Sequence, residues 1–467
     1  MEELGFALDQ LRAQRQGPAG LARRREARLA AMVAHARTSS PFYRHLYRDV
    51  DLARVPATAS GRSGVVLTEL PPVTKQQLMA NFDDWVTDPA VTRAGVEAFL
   101  ADPSLVGTPF LGRYFVCTTS GTTGHPGIFV HDPRSLAVSQ AFTLRIDLAW
   151  LSPKQLLAMA RRRLRWAAVV GTGGHYAGAG WVQWQRRRSR WRRRAFRAFP
   201  VQQPPAALVA ALNDYDPAAI TGYPSALALL AEEQVAGRLT VRPVVVELAG
   251  ESSGHEVRDR IAEAFGGVLH DAYAASEFTP LAFDCARGWL HVNSDWAILE
   301  PVGADYRPTP PGELSHTVLL TNLANRVQPI IRYDLGDSVL AKAGPCGCGS
   351  PLPAIRVAGR RDDVLRLRAA DGSVVRVLPL AIGSIVDGTP GLHRGQLVQT
   401  GPETLRLRLE PEPGADAAAV WGAASAKLLA YLAGLELENV DVVRADEPPE
   451  QSGRSGKFRQ VIARLPG

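Results

Sequence analysis

The chain has 467 residues, 46% of them hydrophobic and 21% charged, which is an ordinary globular balance at a length that predicts two or three domains. No apolar run approaches the about 18 residues of a membrane span, the start "MEELGFALDQLRAQRQG" lacks a signal peptide's apolar middle, and four cysteines make no disulfide framework. The expectation is a cytoplasmic enzyme. The net charge of +7 is local, because "RRRSRWRRRAFR" (186–197) holds eight arginines and no acid, one more than the whole excess, and this argues against a general nucleic-acid binder.

In chain order, residues 2–48 read as helical. From about 105 to 300, strand-like runs ("RWAAVVGT", "RPVVVELAGE") alternate with amphipathic helices such as "GHEVRDRIAEAFG", the pattern of an α/β sheet covered by helices. After about 310 the sequence turns β-rich with "GELSHTVLLTNL" and "VQPIIRYDLGDSVLA". From about 360 it reads as a small α+β unit, whose "AAAVWGAASAKLLAYLAGL" is a helix.

Within this frame "CTTSGTTGHPG" (117–127) stands out. Hydroxyls interleaved with glycines build neither core nor helix, but their backbone N–H groups can converge on phosphate oxygens. No Gly-Lys-Ser/Thr follows, so the stretch is not a Walker A loop, and a flexible linker is its other reading. Further along come "DAYAASE" ending in Glu277, "YDLGD" ending in Asp337, "GRRDD" at 359–363, and "GRSGKFRQ" with Lys457.

Together and in this order, these motifs resemble the adenylate-forming superfamily of acyl-CoA synthetases, adenylation domains and luciferases. The resemblance runs from about residue 40 to the end, and "SPFYRHLY" and "LPPVTKQQLMANF" look most like its phenylacetate–CoA ligase branch. It implies an α/β fold: a large adenylation domain (1–358) with a β-rich subdomain, and a small mobile α+β domain (359–467) turning about Asp362. It also implies that Thr119, Ser120, Gly121, Thr122, Thr123 and Gly124 hold the ATP phosphates and that Glu277 binds Mg²⁺. Tyr273 would stack near the adenine with Asp271 close to the base, and Asp337 would take the ribose hydroxyls with help from Arg360. Lys457 would be the catalytic cation. The sequence departs from the family at Gly127, where a lysine is common, and at Ala274 and Ser276 in the "YGxTE" pattern.

The implied activity is ATP-dependent activation of a small carboxylic acid, aromatic by the branch resemblance, as an acyl-adenylate, followed by transfer to CoA. Transfer to an amine or a carrier-protein thiol is the alternative, and a nucleic-acid-associated protein using residues 184–197 is a remoter one. The acyl pocket is expected at "VVGTGGHYAGAGW", with His175 and Tyr176, at Tyr223 in "ITGYPSAL", and at Ala249 and Gly250 in "LAGESSG". Cys285, His291, Cys346 and Cys348 form a candidate structural Cys₃His zinc site, although they also fit ordinary cysteines and a strand histidine. The arginine run reads either as a solvated helix face or as a dock for a polyanion such as CoA's phosphates or an acidic carrier. The oligomeric state, homodimer included, is left open.

Overall fold

The computed structural model describes residues 2–50, 67–119, 127–251, 253–360, 363–377, 379–451 and 458–463. Three helices open the chain, Glu2–Arg15, Gly17–Ser39 and Pro41–Leu46. The third starts where Ser40 caps the Tyr43 N–H, removing one orphan donor of the first turn. The first helix lies along Pro133–Trp150, where Arg145 donates to the Gln10 carbonyl. Arg145 also meets Asp295 through two bonds of 2.8 and 2.9 Å, with both side chains fully buried.

A nine-stranded sheet forms the centre. Its spatial order is Asp337–Ala341, Ala354–Arg360, Leu290–Val292, Phe278–Asp284, Val268–Ala275, Val245–Ala249, Ala219–Gly222, Trp166–Val170 and Phe196–Pro200. The last five strands run parallel and the first four join antiparallel. The parallel half consists of short, mostly buried apolar runs, as expected for strands covered by helices on both faces. Helices Pro205–Tyr215, Pro224–Val235 and His255–Phe265 pack their apolar stripes into this half's core.

A three-stranded sheet of Ala297–Val302, Thr317–Asn322 and Ile330–Asp334 accounts for the β-rich stretch. Beyond Arg360 lie a hairpin (Leu365–Arg368, Val374–Val377), a four-stranded sheet and the helices Pro379–Asp387 and Ala417–Ala433. Their buried core, from Leu365 to Val461, is drawn entirely from this end of the chain. No described helix is long and apolar enough to cross a membrane.

Candidate active site

The hydroxyl-rich loop grows from an antiparallel pair, Phe115–Thr118 and Ile128–His131. Its base is clasped twice. The Thr119 N–H donates to the Gly127 carbonyl at 3.0 Å, and the Gly127 N–H donates to Thr119 Oγ1 at 2.8 Å. Ser120, Gly121, Thr122, Thr123 and Gly124 lie outside the described residues, as do Asp362 and Lys457. A Cβ at Gly127 would stand 2.8 Å from the Phe129 ring, and Phe129 is 1% exposed and held in the core, so a side chain is blocked there. The stem of Lys75 runs alongside, its Cδ 3.4 Å from that Cβ position. Lys75 is the first residue of its helix, which Thr74 and Gln77 start with a reciprocal capping box.

The loop base borders a cavity of about 720 Å³ at the carboxyl ends of the parallel strands, the expected ligand position in an open α/β sheet. Thr119, Lys75, Glu277, Tyr333, Asp337 and Arg360 line it, together with Tyr176, Tyr223, Ala249 and Gly250. Glu277 is buried, which raises its carboxyl above the usual range, while a hydrogen bond from the Tyr333 hydroxyl and the charge of Arg360 pull the other way. The Tyr273 hydroxyl donates to Asp337 Oδ2 at 2.5 Å. Burial, and then the Asp337 charge, drive the Tyr273 phenol well above its ordinary value, so it remains a donor.

Strand alternation sorts the "DAYAASE" segment. Asp271 and Tyr273 line only an adjoining cleft of about 1170 Å³, while Ala272 and Ala274 border both that cleft and the 720 Å³ cavity. Asp271 is ion-paired with Arg258. The cleft also carries Arg260, Arg287, Arg356 and Arg394, and shares Gly250, Asp337 and Arg360 with the smaller cavity. One chain-terminal contact reaches it: the Phe458 N–H donates to Glu251 Oε1 at 2.7 Å, fixing the residue after Lys457 beside the end of the Val245–Ala249 strand.

Two sequence expectations need correction. His175 does not line the 720 Å³ cavity. Its ring is 3% exposed, bonded through Nε2 to the Asp102 carbonyl at 3.0 Å and packed on Phe99, so only its backbone serves the site, by accepting from the Thr118 N–H. The arginine run is not a wholly solvated helix face either. Trp184 packs on Phe115 and Phe196 on Trp181. Arg186 donates to the carbonyls of Arg193 and Phe196, and Arg188 pairs with Glu3. Trp191 is half exposed. Sequence reasoning passed over Lys75 and Tyr333; their only signal was position inside quoted motifs.

The cysteines and histidine do converge. The ligating atoms of Cys285, His291, Cys346 and Cys348 all lie within 4.8 Å of one another. Cys285 Sγ is 3.7 Å from Cys346 Sγ, and His291 Nε2 is 3.1 Å from Cys348 Sγ. His291 Nδ1 faces the Leu352 carbonyl at 3.0 Å, the kind of outer contact that leaves Nε2 with its lone pair for a metal. Gly347 and Gly349, at φ +75° and +90°, give the left-handed turns that bring Cys346 and Cys348 to the same side.

No family model matches the chain, and no curated protein matches it in sequence. Among solved structures, its fold is that of adenylate-forming CoA ligases. One is 2-hydroxyisobutyryl-CoA ligase in the postadenylation state in complex with R3-HIB-AMP. The TM-score is 0.67 at 22% identity, over 94% of this chain and 89% of that one. The same ligase in complex with 2-HIB-AMP and CoA in the thioesterification state gives 0.52 at 24% identity, over 94% and 88%. An anthranilate CoA ligase in complex with anthranoyl-AMP gives 0.51 at 16% identity, over 74% and 64%.

Proposed function

We propose that the chain is an AMP-forming acid–thiol ligase that adenylates a small carboxylic acid with ATP and passes the acyl group to CoA. One observation carries this reading. Glu277, Asp337, Arg360 and the clasped base of the hydroxyl-rich loop border one cavity at the sheet's carboxyl edge.

In the proposed reaction the acid's carboxylate attacks the α-phosphate and pyrophosphate leaves. Charge grows on phosphate oxygens, so the enzyme must present preorganised donors and cations there. The loop from Thr119 to Gly124, Thr122 and Thr123 included, would contribute N–H groups and hydroxyls. Lys75, beside Gly127, supplies the charge that the loop itself lacks. Asp337, held by the Tyr273 hydroxyl, accepts the ribose hydroxyls next to Arg360. Bound through Glu277, Mg²⁺ would neutralise phosphate charge, and a carboxylate is the hard oxygen donor it requires.

Residues 1–358 act as the adenylation domain and 359–467 as the mobile domain, turning about Asp362 to deliver Lys457 and later withdraw it. The self-contained core of the chain's end supports that division. The arginine-lined cleft suits the phosphates of CoA. The Cys₃His cluster takes Zn²⁺ structurally. Tetrahedral bonds of about 2.3 Å put sulfurs about 3.8 Å apart, and the Cys285–Cys346 separation is 3.7 Å.

The test is pyrophosphate release over a panel of acids, with and without CoA. Acid-dependent release together with an acyl-CoA product is the expected result. Release without acyl-CoA would redirect the acyl group to an amine or carrier-protein thiol, and no acid-dependent release would overturn adenylation itself. For zinc, less than about half an equivalent of metal per purified chain would remove that site.

A further inference from the structure

The wall of the acyl cavity is acidic where an acyl tail would lie. Helix Pro133–Trp150 contributes Asp147 and strand Val245–Ala249 contributes Glu247, and both line the 720 Å³ space with Trp150, Trp166 and Thr221. Glu247 is surrounded by protein yet retains accessible surface, because that surface faces the cavity. A hydrogen-bond chain orients it. Trp166 Nε1–H donates to Thr221 Oγ1 at 2.8 Å, and the Thr221 hydroxyl donates to Glu247 Oε2 at 2.7 Å. That chain uses up both donors and leaves Glu247 Oε1 without a partner among the described residues. The Asp147 carboxylate accepts no hydrogen bond from any of them.

No described lysine or arginine pairs with either acid. The cationic side chains that line this cavity, Lys75 and Arg360, stand by Gly127 and Asp337, at the nucleotide end. His270, opposite Glu247 in the adjacent strand, is held by Asp284 at 2.7 Å. Burial pushes the Asp147 carboxyl up to about 6 and the Glu247 carboxyl to about 7; on Glu247 the Thr221 hydrogen bond and the His270 charge pull down while the Asp147 charge pushes up. An apolar acyl tail would seal Asp147 and Glu247 Oε1 away from water with no donor from the tail, which is unfavourable even where the carboxyls are neutral. A cationic group supplies the missing donors and the opposite charge, and indole walls tolerate a cation well.

We propose that the acid activated here carries a positively charged amino group at the end remote from its carboxylate, held by Asp147 and Glu247. This rests on the acid-activation reading. The test compares matched pairs on the full chain, aminomethylbenzoate against methylbenzoate and aminoalkanoates of graded length against the corresponding alkanoates. Binding is measured by calorimetry and turnover by pyrophosphate release. At least one ammonium-bearing acid should bind roughly 10- to 100-fold more tightly than its neutral twin, and that preference should shrink in Glu247→Gln and Asp147→Asn. If no ammonium-bearing member is preferred, or if the preference survives in both variants, the proposal is overturned. A binding preference without pyrophosphate release would retain it and overturn the adenylation reading alone.

Discussion

The Tyr333 hydroxyl offers the sharpest test of the metal assignment. It donates to the Glu277 carboxylate inside the protein, where burial is the larger influence and holds that carboxyl above its ordinary value. Tyr333→Phe removes the donor and little else, because the ring remains in the core against Phe129. A hydrogen bond to a charged group contributes about 1.5–3 kcal/mol, equivalent to about one to two pH units on the acceptor. The sign is fixed. Losing the donor raises the Glu277 carboxyl further, and the ionised form that binds Mg²⁺ is lost as pH falls through that raised value. On that acidic limb the variant should therefore need up to roughly 10- to 100-fold more Mg²⁺ for half-maximal pyrophosphate release than the unaltered chain at the same pH. Its acidic limb should move upward by about one to two pH units. The assay is pyrophosphate release titrated with Mg²⁺ at several pH values. An unchanged Mg²⁺ requirement and an unmoved acidic limb would show that Glu277 does not hold the metal.

Other outcomes follow from the same geometry. Lys75→Ala should raise the KM for ATP by about tenfold, in line with losing a charge-assisted contact, with little change for the acid; an unaltered ATP KM would remove Lys75 from the phosphate site. Lys457→Ala should abolish acid-dependent pyrophosphate release yet spare thioester formation from a supplied acyl-adenylate, and equal loss of both would refute its separate role. Asp295→Ala strands the Arg145 guanidinium, which is wholly buried, and should destabilise the fold by about 3–5 kcal/mol. Denaturant unfolding checks this, and a loss below about 1 kcal/mol would mean that the remaining bonds to Asn293 and Gln10 suffice.

The alternation of apolar runs and amphipathic helices was legible because parallel strands such as Val245–Ala249 are covered on both faces. The order of the sheet was not, since Ala354–Arg360 crosses back to lie beside Leu290–Val292 and nothing local records that pairing. Glu277 and Asp337 stood in motifs and do border one cavity. Lys75 escaped notice because it approaches the loop from a helix some fifty residues upstream, and a capped helix start looks the same whether or not its first side chain serves a ligand. His175 misled for a related reason. Its neighbours Thr118 and Tyr176 form a bridge at the cavity, but its ring turns to Asp102, a choice of side-chain direction that sequence spacing does not encode.

The central sheet reaches the 720 Å³ cavity from both of its halves. The parallel strands bring Thr221 and Glu247 to it, whereas the antiparallel edge brings Asp337 and Arg360, the last described residue before the chain's final unit. Under the proposed activity, substitutions that retune which acid fits can therefore accumulate on the parallel strands while Asp337 and Arg360 stay as they are, so that one scaffold could diversify its substrates without rebuilding its antiparallel edge.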